Sequence, residues 1–179
     1  PSSVTEIETS TFNECSSLMN IKIPTSVVKI GSYSFNKCSS LEQIEIPSSV
    51  KSIGDNAFYK CSTLIKVIIP SSVSSIGNDA FRECSSLKKI SIPSSINLIG
   101  KDAFYGIQTL ILDGTIQNIY DNMFKGCSTL TQITIPSSVT SIGNSAFSEC
   151  SLLTQISIPS SVTSIGEYAF EGCSSLKEI

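Results

Sequence analysis

Seven cysteines recur at one phase of this 179-residue chain, at positions 15, 38, 61, 84, 127, 150 and 173. Thiols can hold a metal, attack a carbonyl or cross-link. Zinc sites use close pairs such as C-x-x-C, and none occurs. A catalytic thiol passes its proton to a histidine, and the chain contains no histidine. Disulfides would have to join successive coils, but the count is odd and side chains sharing a phase point the same way, which is poor bridging geometry. The spacing predicts a ladder of buried thiols used as small apolar groups. Ile107 falls at the same phase, where an isoleucine can only pack. Free thiols suit a reducing interior, yet buried ones also persist outside a cell, so they leave the compartment open.

Other chemistry is equally sparse. Serine is abundant, but a serine nucleophile needs a base to activate it. Glu14, Glu83, Glu149 and Glu171 are expected on a solvated convex side. A calcium array would need more clustered carboxylates than the one or two acids available per coil. Neither catalysis nor a metal or other cofactor is expected. Net charge is -3 with a pI near 4.9, so the basic footprint of a nucleic-acid binder is missing. No apolar run approaches the roughly 18 residues of a membrane helix, so this segment is not expected to insert in a bilayer. There is no Asn-x-Ser/Thr sequon, and none of the residues is tryptophan.

The elements that carry these residues follow one period. Phenylalanine recurs at 12, 35, 58, 81 and 104, then at 124, 147 and 170, at intervals of 23 residues with a single one of 20. A fixed period of this length predicts a solenoid of stacked units. From Phe58 the apolar positions are Cys61, Leu64, Val67, Ile69, Val73, Ile76, Ala80 and Phe81, with Pro70 after Ile69 and Gly77 after Ile76. L-x-x-I-x-I alternates as a short strand does, as in Leu87, Ile90 and Ile92. Proline ends it and the Ser-Ser pair supports a turn. Val73 and Ile76 return on the far side of the coil. Gly77 suits a positive φ. Asp55, Asn78 and Ser145 are placed to cap one helical turn.

Between Phe104 and Phe124 the unit is shortened. Ile107 replaces cysteine, Tyr120 replaces glycine, Met123 replaces alanine, and the I-P-S-S stretch gives way to Leu110-Ile111-Leu112-Asp113-Gly114-Thr115. Asp-Gly favours a tight turn. Such a coil is either absorbed by the stack or kinks it.

The L-x-x-I-x-I-P strand, the S-S-V-x-x-I-G return and the A-F-x-x-C segment together resemble the BspA-type leucine-rich repeat, over essentially the whole chain. The resemblance implies a single array over residues 1–179, about eight repeats of 23 residues with the short unit at 104–124. The implied fold is a right-handed coil with a concave parallel β-sheet and short helical turns or extended segments on the convex side. Members of the family are typically microbial or protozoan surface or secreted proteins that bind host proteins. Both chain ends fall inside repeats without polar caps, so an excerpt of a longer protein is expected.

Binding is expected on the concave sheet, at the positions flanking each core isoleucine. Asn20 and Lys22 open this row. Gln43, Glu45, Lys66, Ile68, Lys89, Ser91, Gln132, Thr134, Gln155 and Ser157 continue it, with Ile111 in the short unit. Ile68 is out of character and, with Ile111, is a candidate apolar patch rimmed by polar groups. The expected function is adhesin-like binding of host or cell-surface proteins, at the cell surface or secreted. The alternatives are a cytoplasmic scaffold and a structural cell-coat array with end-to-end self-association.

Overall fold

The computed structural model describes residues 3–179 as a parallel β-solenoid, one coil per repeat. The sheet expected on the concave side is formed by Gln43–Glu45 with Lys66–Ile68, and by Lys89–Ile92, Thr109–Leu112 and Gln132–Thr134. A second parallel sheet, built from the Val-x-x-Ile return, is the more continuous of the two. It joins Glu6–Ile7, Lys29–Ile30, Ser52–Ile53, Ser75–Ile76 and Leu98–Ile99, then resumes in Asn118–Ile119, Ser141–Ile142 and Ser164–Ile165. One column of leucine, isoleucine, valine, cysteine and phenylalanine fills the space between them.

The convex side differs from expectation: no described residue is helical. The Ala-Phe segment is a pair of turns bracketed by left-handed residues such as Asn56 and Lys60, with φ of 54° and 57°. That geometry points their N–H groups along the solenoid, where Asn56 donates to Asn78 O at 2.8 Å and Lys60 to Arg82 O at 2.9 Å. A helix would have directed those donors within its own coil. Phe58 in the middle donates to Ala80 O, and its ring stacks on Phe35 and Phe81 at 5.3 and 5.2 Å.

Asp55 and Asn78 do not cap helices. Asp55 Oδ1 accepts the Asn78 N–H at 2.7 Å and Asn78 Oδ1 accepts the Lys101 N–H at 2.8 Å, so they form rungs between coils. The same rungs link Asp121 to Asn144 and Asn144 to Glu167. Ser145 is one of the left-handed residues. Gly77 likewise has another reason to be glycine, since its φ is not positive. The backbone at this phase presses on the preceding coil: a Cβ on Gly54 would sit 2.6 Å from Ser32 N.

The short coil loses a different part than expected. Phe104 to Thr109 spans five residues where Phe81 to Lys89 spans eight, so the deletion falls in the Cys-Ser-Ser-Leu corner. Ile107 covers that corner alone, its N–H bonded to Phe104 O at 3.0 Å. Asp113-Gly114-Thr115 takes the place of Pro-Ser-Ser: Ile116 N–H bonds Asp113 O at 3.1 Å as Val73 N–H bonds Pro70 O at 3.0 Å. Across this coil the first sheet continues, Ile90 facing Leu110 and Leu110 facing Ile133. The other ladders stop. The second sheet parts between Leu98–Ile99 and Asn118–Ile119. The stacked phenylalanine pairs run from Phe12 to Phe104 and restart at Phe124. Lys101 has no side-chain acceptor for the next coil, and Tyr120 brings a Cβ where glycine allowed close approach.

Two measurements follow. Amides of Gln117–Tyr120 should exchange at least about tenfold faster than those of Thr140–Gly143, because they lack the rungs their counterparts have; equal protection would mean the seam is closed in solution. Gly54→Ala should cost about 1–3 kcal/mol in urea unfolding, whereas Gly114→Ala, with nothing within 4 Å of the added Cβ, should be close to neutral.

Candidate functional site: the strand face

The strands of the first sheet alternate as expected, with Ile44, Val67, Ile90, Leu110 and Ile133 buried and their neighbours outside. Gln43, Glu45, Lys66, Ile68, Lys89, Ser91, Gln132, Thr134, Gln155 and Ser157 are exposed, and Ile111 is half-buried. Register sorts them into two rows. Gln43 faces Lys66, and Lys89, Thr109 and Gln132 face one another in turn. In the other row Glu45 faces Ile68, and Ser91, Ile111 and Thr134 are aligned. Gln155 continues the path through a bridge to Glu178.

Ile68 and Ile111 are not side by side, because Ser91 occupies the coil between them. Ile65, on the same coil, is 59% exposed beside 60% for Ile68, and Met19, also 59% exposed, stands two coils away at the far end of the groove, with Glu42 between it and Ile65. Met19, Asn20, Gln43, Glu45, Lys66 and Ile68 line one shallow groove. Sequence pattern passed over Met19 and Ile65 because they follow the repeat's leucine, outside the I-x-I alternation. It passed over Thr109 because the deletion lies just before it and moves it by three residues.

The remaining polar groups mostly serve the stack. Glu14, placed on a solvated side, is paired with Lys37 at 2.6 Å, and that hydrogen bond and charge hold its carboxyl below the usual range. Glu83 meets Lys60 at 3.6 Å and Glu149 meets Lys125 at 4.0 Å. Arg82 lies 3.0 Å from Asp102 and 4.4 Å from the Tyr105 ring centre. Among the described residues no group of three or more potential ligands converges on a metal position, and no helix is long and apolar enough to cross a membrane.

The cysteines are buried from Cys38 to Cys150, with Cys173 half-buried and Cys15 exposed, and all are free thiols. They are more than small apolar fillers. Cys61 Sγ donates to Phe35 O at 3.1 Å and Cys84 Sγ to Phe58 O at 3.0 Å, and Cys38, Cys150 and Cys173 repeat the bond. Each thiol thus ties its coil to the one before. Cys127, first after the short coil, is outside this series. Burial pushes Cys38 up to about 11 and Cys84 and Cys127 up to about 12 from an ordinary 9.0.

A parallel solenoid that presents an exposed sheet defines the class of stacked repeat proteins. The BspA-type leucine-rich repeat region matches residues 1–111 and 106–179, in six copies, and the chain belongs to this family. The crystal structure of a leucine-rich repeat protein of T. pallidum is 34% identical over 84% of this chain and 72% of its own, with a TM-score of 0.70. A leucine-rich cell surface protein from Faecalibacterium prausnitzii is 28% identical over 96% of this chain and 62% of its own, with a TM-score of 0.51. The pneumococcal vaccine antigen PcpA shares the fold at 20% identity and a TM-score of 0.55, over 99% of this chain and 60% of its own. No curated protein matches the sequence.

The raised thiols make stability depend on alkaline pH. Below pH 9 both states keep their protons and stability is unaffected. Above it the unfolded chain ionises while folded Cys38, Cys84 and Cys127 stay protonated until about 11–12. The unfolded state then binds fewer protons, and stability falls by about 1.4 kcal/mol per pH unit for each thiol. Urea midpoints should be level from pH 7 to about 8.5 and fall steeply by pH 10.5; replacing the three thiols by alanine should lessen that slope, Cys61 and Cys150 being raised as well, and an unchanged slope would show that other groups cause it.

Proposed function

We propose that this array is a protein-binding module whose contact surface is the strand face, and that it acts at the cell surface or in secreted form as an adhesin-like receptor for host or cell-surface proteins. The observation that carries the reading is the difference between the faces. Convex side chains are largely consumed by rungs, ion pairs and stacking between coils. On the strand face Lys66, Ile68, Lys89, Ser91, Gln132 and Thr134 are exposed, and none of them enters a side-chain hydrogen bond or ion pair among the described residues. Side chains unused by the fold are available to a partner at little cost in stability. The F. prausnitzii relative, named as a cell surface protein, supports the location.

The triple variant K66E/I68E/K89E should keep the wild-type unfolding midpoint within about 0.5 kcal/mol and weaken partner binding by at least about tenfold. Normal binding by the folded variant would move the contact elsewhere. Protease shaving of intact source cells, read by mass spectrometry, tests location: array peptides released before lysis support the reading, and protection until lysis favours a scaffold inside the cell.

A further inference from the structure

Building on the strand-face reading, we infer that the face selects an acidic protein segment carrying an apolar side chain, with carboxylates on Lys66 and Lys89 and the apolar group on Ile68. The seven ion-pair contacts of the described chain all lie off this face, on Lys29, Lys37, Lys60, Arg82 and Lys125. Lys66 and Lys89 occupy the same phase of successive coils, exposed and without a carboxylate within reach. Lys88 does not join them: its ammonium turns back to the backbone oxygen of Ser85 at 2.7 Å and lines a separate groove with Lys60 and Glu83. Two unpaired cations thus stand on successive coils of a protein of net charge -3.

Facing like charges on neighbouring strands are destabilising. The hydrogen-bonded sheet is interrupted between Lys66–Ile68 and Lys89–Ile92, and again after Gln132–Thr134, where the next coil brings the neutral Gln155 and Ser157. A carboxylate bridging the two lysines relieves the repulsion. On the other side of Lys66 stand Glu42 and Glu45, with Lys22 opposite Glu45, and the two carboxylates orient such a ligand along the face. Ile68 and Ile65, 60% and 59% exposed, give the two lysines an apolar edge.

The test uses a fluorescent peptide of alternating Glu and Leu, about ten residues long, enough to cross several coils spaced roughly 4.8 Å apart. Two counterparts replace Glu by Lys or Leu by Ser. Binding is followed by anisotropy and by amide shifts of the 179-residue chain. The Glu-Leu peptide should bind saturably with shifts centred on Lys66, Ile68 and Lys89, and both counterparts should bind at least about tenfold more weakly. K66E/K89E should invert the charge preference, and I68S should remove the advantage of Leu over Ser. Equal binding of the Glu and Lys peptides on this face would overturn the charge selectivity and leave the docking face standing. Shifts away from the face, or none up to about 1 mM peptide, would overturn both. Capture of heparin that I68S leaves unchanged, with no capture of the Glu-Leu peptide, would overturn the inference in favour of a glycan surface.

Discussion

No coil of this chain can satisfy its own backbone or bury its own apolar face, so each must find both in the coils beside it. That requirement fixes the distance between coils, and the spacing then selects residues at every phase. Glycine stands at 31, 54, 77 and 100 because a Cβ there would strike the preceding backbone. Asp or Asn follows at 55, 78, 121 and 144 because an oxygen at that distance reaches the next N–H. Left-handed residues bracket Ala-Phe so that their donors point along the axis, a conformation that costs a non-glycine residue roughly 1–2 kcal/mol. The cross-coil bonds offset that cost, and glycine removes it at Gly106, Gly126 and Gly172.

Much of this was legible in the residues, because apolar phase is set by burial. The strand of L-x-x-I-x-I and the inward direction of Phe, Cys and Ile followed from spacing alone. What was not legible depends on contact between coils. The Asn and Asp rungs look like helix caps to a local reading, since the same side chain accepts an N–H in either case. Gly77 looks like a positive-φ residue, since close approach leaves no separate mark in a sequence. The thiol bonds to Phe carbonyls are likewise hidden, because a cysteine and a small apolar residue share the same pattern. The short coil was visible as an interval of 20, but only cross-strand register placed its deletion before Thr109 rather than after Leu112.

The candidate site was legible in part. Alternation put Lys66, Ile68, Lys89 and Ser91 outside, and they are outside. Which apolar groups accompany Ile68 was beyond that rule, because Met19 and Ile65 stand at a corner where the chain leaves the pleat. A partner's identity does not enter the stacking energy at all, so the repeat carries little information about it.

That separation explains where variety accumulates. At Phe, Gly and Asn/Asp phases a change is felt by two neighbouring coils at once, and the coil that combines Lys101, Tyr120 and a lost corner is the one where several ladders stop together. On the strand face a side chain has no such obligations. Glu45, Ile68, Ser91, Ile111 and Thr134 occupy one phase in five successive coils, and they differ in charge, size and polarity while the strands beneath keep their register within each piece of the sheet. A surface that can be rewritten without disturbing its support suits recognition, and on this chain the face carries the unpaired Lys66 and Lys89 beside an exposed Ile68.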